Sequence, residues 1–160
     1  LEVDTDQVRI YCQPDNQILN PKYHLARGFL SFDTSGLSKK AVVIAATLSG
    51  CHMSVSGSAL VKNAALSSAA FSLPVVGSVY NTKLTGLNTN VPNKKGVNTF
   101  TVPADSVKPG ALTQYVMVWP QTKCNYFSGQ AWSSAGNNTT MGLCTKVPYP
   151  WELVVTFCGP

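Results

Sequence analysis

The chain has 160 residues, enough for one domain with its own core, and is read as a single unit over residues 1–160. Only 12% of residues are charged against 44% hydrophobic, a balance that excludes charge-driven disorder and points to a surface covered largely by Ser, Thr and Asn. The net charge of +5 is spread along the chain: Lys39-Lys40 and Lys94-Lys95 are the only adjacent basic pairs, and Arg9 and Arg27 the only arginines. Nucleic-acid binding would want a stripe of Arg and Lys with interleaved aromatics, so no nucleic-acid partner is expected.

In chain order the pattern is β. Residues 7–12 alternate polar and apolar as a half-buried strand does, and residues 26–33 carry Phe29 and Phe32 in a second strand. Residues 41–48 form a β-branched apolar run bounded by Ser-Lys-Lys and Ser-Gly, which predicts a central strand buried on both faces. This longest apolar stretch is far too short to span a bilayer, so no membrane insertion is expected. Residues 53–57 are expected to pair back after a tight turn. Residues 61–71 are Ala-rich and are one of two stretches open to helix. The other, residues 104–108, lies between Pro103 and Pro109-Gly110 and has room for one turn at most. Residues 74–95 read as loop, residues 98–102, 113–119 and 152–158 as strands, and residues 121–150 as a long irregular stretch. Many short strands separated by turn signals predict an all-β fold: an antiparallel β-sandwich, jelly-roll-like, with long irregular loops.

Five cysteines, Cys12, Cys51, Cys124, Cys144 and Cys158, lack the C-x-x-C spacing of a zinc site. Two disulfides and one free thiol is the simplest count for an exported protein, and five buried thiols is the alternative. Spacing does not fix the pairing; Cys124 with Cys144, and Cys12 or Cys51 with Cys158, is the preferred arrangement. The chain begins at Leu1 and is read as a mature protein or an excised domain.

Two blocks together carry a resemblance. Ala26-Arg-Gly-Phe-Leu-Ser-Phe-Asp-Thr-Ser-Gly-Leu37 followed by Val43-Ile-Ala-Ala-Thr-Leu48, and Pro150-Trp-Glu-Leu-Val-Val-Thr-Phe157 at the other end, resemble the DNRLRE-type (disaggregatase-related) domain of extracellular proteins. The segment Asn98-Thr-Phe-Thr-Val102, with Gly110 and a strand ending at Trp119, fits the same family's later part. The resemblance implies a jelly-roll-like sandwich that serves as a module of surface and carbohydrate-active proteins, some of which bind polysaccharide. The cysteines and the middle of the chain depart from it. A second likeness is to chaperone–usher pilins, whose disulfide is spaced much as Cys12 and Cys51 are, although their C-terminal Tyr motif is missing here.

Arg27 and Asp33 sit six apart on one predicted strand. Each therefore needs its own partner: a cross-strand ion pair, a turn cap by Asp33 on Ser35 or Gly36, or a ligand.

Catalytic groups are scarce. Seven acids are present and three of them, Glu2, Asp4 and Asp6, crowd one end, whereas glycosidase chemistry needs two convergent carboxyls. Cys51 and His52 are neighbours on a strand and point to opposite faces, so they make no dyad. No enzyme activity and no cofactor is expected. A structural calcium held by Asp4, Asp6 and Asp15 is the one cation option, set against a solvated acidic terminus.

The ligand-binding candidates are aromatics and amides late in the chain. Trp132, Tyr126, Phe127 and Tyr149 offer flat faces to pyranose rings, and Asn137 and Asn138 offer amides to sugar hydroxyls. Trp119 and Trp151, on strands, read as core. The expected function is a non-catalytic extracellular or cell-surface binding and adhesion module, its partner a polysaccharide or glycan. The alternative is a structural or assembly subunit of a surface appendage, spike or capsid, its partner another copy or subunit.

Overall fold

A computed structural model describes the backbone of residues 7–14, 23–56, 63–75, 84–92, 96–118, 139–144 and 151–159, with side chains at 27–51, 65–75, 84, 96–118 and 151–159. Ten strands account for most of it: β1 (Gln7–Pro14), β2 (Tyr23–Ala26), β3 (Gly28–Asp33), β4 (Val42–Ser56), β5 (Asn63–Ser68), β6 (Thr85–Pro92), β7 (Gly96–Val102), β8 (Leu112–Val118), β9 (Thr139–Cys144) and β10 (Glu152–Cys158). The only helical piece among the described residues is a single 3-10 turn, Ala104–Ser106.

All the strand pairs are antiparallel and fall into two sheets. One has the order β10-β4-β9-β1-β2, with β7 also on β4; the other has the order β3-β8-β5-β6. The long strand β4 organises the first sheet. Ser49 pairs with both Thr99 of β7 and Glu152 of β10, and His52 pairs with both Gly96 of β7 and Leu143 of β9. A strand has two edges, so β7 occupies one edge of β4, while β10 and then β9 follow each other along the other.

Residues of both sheets share one hydrophobic core. Ala46, Leu48, Phe100 and Val102 come from the first sheet, Leu30, Leu66, Tyr115 and Met117 from the second, and Val107 from the link between β7 and β8. The alternation of strand side chains explains β7, where Asn98, Phe100 and Val102 are buried and their neighbours are exposed. Trp151 packs against this core as expected, edge-on to Phe100 with ring centroids 6.4 Å apart. Its indole lies over Gly50, where a β-carbon would overlap the ring.

Several expectations change. Residues 63–68, within the stretch open to helix, are strand β5: the Ser pairs weaken a helix, and pairing with β6 and β8 satisfies the backbone instead. Part of the predicted loop 74–95 is β6, and β9 lies within the predicted irregular stretch 121–150. Residues 53–56 do not turn back but continue β4 onto β9. The strand buried on both faces is β8, where Thr113 to Met117 are all buried; the run 42–45 of β4 is largely exposed. The second face of β8 is covered partly by the chain after β5. There the Gln114 side chain accepts from the Phe71 N–H and donates to the Phe71 carbonyl, both at 3.0 Å, standing in for a ladder partner.

The Phe32-Asp33-Thr34-Ser35 block proves to be a turn that locks β3 to β8. Asp33 Oδ1 accepts from the Ser35 N–H at 2.9 Å, the expected turn cap; hydrogen bonding from the Ser35 side chain, and then from this N–H, holds the exposed Asp33 carboxyl below its ordinary pKa. Arg27 precedes β3 rather than sharing the strand with Asp33. Thr34 is buried and makes the central connection. Its Oγ1 lies 2.9 Å from the Lys108 carbonyl, 2.7 Å from the Ala111 carbonyl and 2.8 Å from Thr113 Oγ1. Opposite it, the Lys108 carbonyl accepts from the Ala111 N–H across a turn with Pro109 at its first central position and Gly110 at φ 75° at its second. That is type II geometry, which favours Gly at the second position.

Candidate functional site

The described surface carries one concentration of apolar side chains, and it lies where β4 begins and β10 ends. Along this pair Leu48 faces Leu153, Ala46 faces Val155 and Ala45 faces Thr156, but Val43 faces Phe157. Ile44 is therefore the extra residue of a β-bulge. A bulge shifts which side chains face the core, and here it leaves Val42 and Ile44, which strict alternation with Ala46 and Leu48 would turn inward, facing solvent. Val42 is 61% exposed, Ile44 60%, Val154 50% and Phe157 44%, with Cys158 exposed at the same end. Val42 pairs with Cys158 and Thr47 with Val154, and residues 154, 156 and 158 share the outer face of β10, whereas Phe157, three residues from Val154, lies on the other face with its partner Val43.

β10 also ends the strand order of its sheet, with no partner on its outer side among the described residues. Its sequence Glu-Leu-Val-Val-Thr-Phe-Cys has one charge and no proline. Natural edge strands are usually blunted by lysines, prolines or shortness, and a seven-residue apolar edge is a template for another strand. The charges nearest in sequence are the exposed Lys39 and Lys40, which precede β4, and Glu152, which opens β10. Gly159, at φ 102°, brings the chain after β10 against the backbone of Lys40 and Ala41.

The sequence had marked other residues. Trp132, Tyr126, Phe127, Tyr149, Asn137 and Asn138 lie outside the described residues, as do Trp119 and Cys124. Asp4, Asp6 and Asp15 also lie outside them. Among the described residues no three His, Cys, Asp or Glu side chains lie together as metal ligands would, and no helix is long and apolar enough to cross a membrane.

The cysteine expectations are corrected in part. Cys158 is a free, exposed thiol, so neither Cys12 nor Cys51 is bridged to it. Its position near the open end of an edge strand brings no other cysteine opposite: its neighbour on β4 is Val42. Cys51 is buried and is disulfide-bonded. Cys12 lies on β1, and Cys144 is the last residue of β9.

Sequence reasoning missed Val42, Ile44, Val154 and Phe157 as surface residues. An unbroken apolar run reads as buried whichever face is covered, and the bulge at Ile44 leaves no signature in composition. The signal that was available is the lack of any charge in residues 153–158, which a solvated edge strand usually carries. No protein-family model, curated protein or solved structure matches the chain.

Proposed function

We propose that this chain is a non-catalytic extracellular β-sandwich of jelly-roll kind, in the manner of DNRLRE-type domains, that works as an assembly subunit through the β10 edge. The observation that carries this reading is the exposed apolar side chains Val42, Ile44 and Val154, with Phe157 at the same strand end, on an edge strand whose one charge is Glu152 and whose outer side has no partner among the described residues. Monomeric proteins seldom expose contiguous apolar surface, and an edge strand supplies the backbone donors and acceptors that strand addition uses. The occupant is a second copy of the chain, its β10 laid antiparallel to the first. Such a contact is isologous: each copy presents the same strand and the same cluster. Lysine at Val154 and Ile44 tests it, because both are half or more exposed and their replacement leaves the core intact. In sedimentation equilibrium the wild-type chain associates with rising concentration, and the double variant Ile44→Lys, Val154→Lys stays monomeric. A wild-type chain that remains monomeric into the high micromolar range refutes the reading.

The second reading is a carbohydrate-binding module, supported by the grouping of Tyr126, Phe127, Trp132 and Tyr149 within one short part of the sequence. A glycan array with Trp132→Ala as control decides it: binding lost in the variant supports this reading, and a blank array removes it.

A further inference from the structure

We infer that Cys51 is bridged to Cys144, so that a disulfide joins β4 to β9 at the point where β9 gives way to β10. Cys51 is disulfide-bonded and Cys158 is free, which leaves Cys12, Cys124 and Cys144 as partners. The strand register chooses among them. β9 pairs with β4 at His52↔Leu143, and one further step along an antiparallel ladder sets Cys51 opposite Cys144. Directly opposed residues of antiparallel strands have α-carbons about 4.5 to 5.5 Å apart, inside the roughly 4.4 to 6.8 Å that a disulfide spans. Opposed residues also share a sheet face.

Cys12 fails on both counts. β1 pairs with β9 without a register break from Gln7↔Cys144 to Cys12↔Thr139, so Cys12 lies five residues along the ladder from the level of Cys144. Five steps cover about 17 Å, and an odd number of steps reverses the face. The sheet thus separates Cys12 from Cys51 by distance and by side. The spacing shared with pilins therefore does not carry their disulfide into this fold.

The burial of Cys51 agrees. It stands one residue beyond Gly50, on the face opposite the core-facing Leu48, and its β7 partner Val97 is 58% exposed, yet Cys51 is only 9% exposed. Its cover is therefore not the β7 side chain, and β9 is the neighbour on the other edge. On that same edge the β10 register continues from Glu152↔Ser49 to set Trp151 opposite Gly50, where its indole lies. Chain departure at Cys144 and return at Trp151 thus fall opposite adjacent residues of β4. The bridge pins one foot of the connection 145–150, which contains Tyr149, and Trp151 on Gly50 pins the other. In forming the bridge the two thiols lose two protons and two electrons, taken up by a disulfide oxidant that is reduced to two thiols by exchange.

Peptide mapping of the wild-type chain tests the assignment without any variant. Free thiols are blocked at low pH and the unreduced protein is cut with chymotrypsin, which separates Cys124 from Cys144. The expected product is a linked pair of peptides holding Cys51 and Cys144, split by reductant. A link from Cys51 to Cys124 or Cys12, or a blocked Cys51, overturns it. Thiol counting gives a second measurement: Cys144→Ser makes Cys51 titratable beside Cys158, whereas Cys124→Ser leaves Cys51 silent. A Cys124→Ser protein in which Cys51 becomes reactive also overturns it.

Discussion

Replacing Gly50 by alanine puts a methyl group where the Trp151 indole lies, overlapping three of its ring carbons. The methyl is fixed to a strand paired on both sides, so the indole is the part that must move. Leaving its place costs Trp151 the edge-on contact with Phe100, worth about 0.5–1.5 kcal/mol beyond burial. It also costs part of the burial against the core, for which the roughly 3–5 kcal/mol of a full Trp truncation is the ceiling. Against this, alanine is favoured over glycine within a strand by about 0.5–1 kcal/mol. The net expectation is a loss of about 2–4 kcal/mol, measured by urea unfolding followed by far-ultraviolet circular dichroism. The decisive step is a double-mutant cycle. With Trp151→Ala the clash is gone, and Gly50→Ala should become neutral or slightly stabilising, a coupling of at least about 2 kcal/mol. Additive losses in the cycle would show that the glycine is needed for some reason other than the indole.

Two further outcomes concern buried hydroxyls. Thr34→Val deletes the hydroxyl between the two carbonyls and Thr113 and is expected to cost about 1–3 kcal/mol in denaturant unfolding, while Thr34→Ser, which keeps the donor, restores most of it. Tyr115 is fully buried, its hydroxyl 2.8 Å from Ser106 Oγ, and burial raises its pKa above the ordinary 10.0. The unfolded chain's phenol therefore ionises first: stability is complete below about pH 10 and falls as pH rises beyond it, by at most about 1.4 kcal/mol per pH unit from this group. Tyr115→Phe is expected to cost about 1 kcal/mol at neutral pH and to remove that part of the alkaline decline, which unfolding curves from pH 8 to 11.5 would show.

Local signals served well where the chemistry is local. The cap of Asp33 on Ser35 spans two residues, and the one-turn limit on residues 104–108 follows from two flanking prolines; both were legible. The type II turn at Pro109-Gly110 is equally local. The helical option for residues 61–71 failed because the Ser pairs offset alanine's local preference for helix, and the partners that settle it, β6 and β8, lie some 20 to 50 residues away. The ordering of the two long apolar runs is also non-local. Residues 113–117 look no more buried in the sequence than residues 42–46, yet the first run is covered on its second face by a segment tied down through Gln114, and the second is not.

That difference bears on function, because it inverts the weight given to the two ends of the sequence. The aromatics of residues 119–151 stand out by composition, and one of them, Trp151, is occupied in packing on Gly50 and Phe100. An aromatic residue in a β protein is as often a plug as a contact, and only its neighbours decide. Valine, isoleucine and threonine attract no notice in a strand, yet at an edge whose one charge is the Glu152 that opens it they are the unusual choice. The exposure of Val42 and Ile44 beside Val154 arises because one extra residue in β4 changes its phase against β10. Deleting that residue should therefore restore the strict alternation, so that Val43 opposite Phe157 follows directly on Ala45 opposite Thr156 and the exposed Ile44 side chain is gone. If the β10 edge is what binds a second copy, this deletion reduces association as the lysine variants do, without adding a single charge; association unchanged by the deletion would show that the bulge plays no part in it.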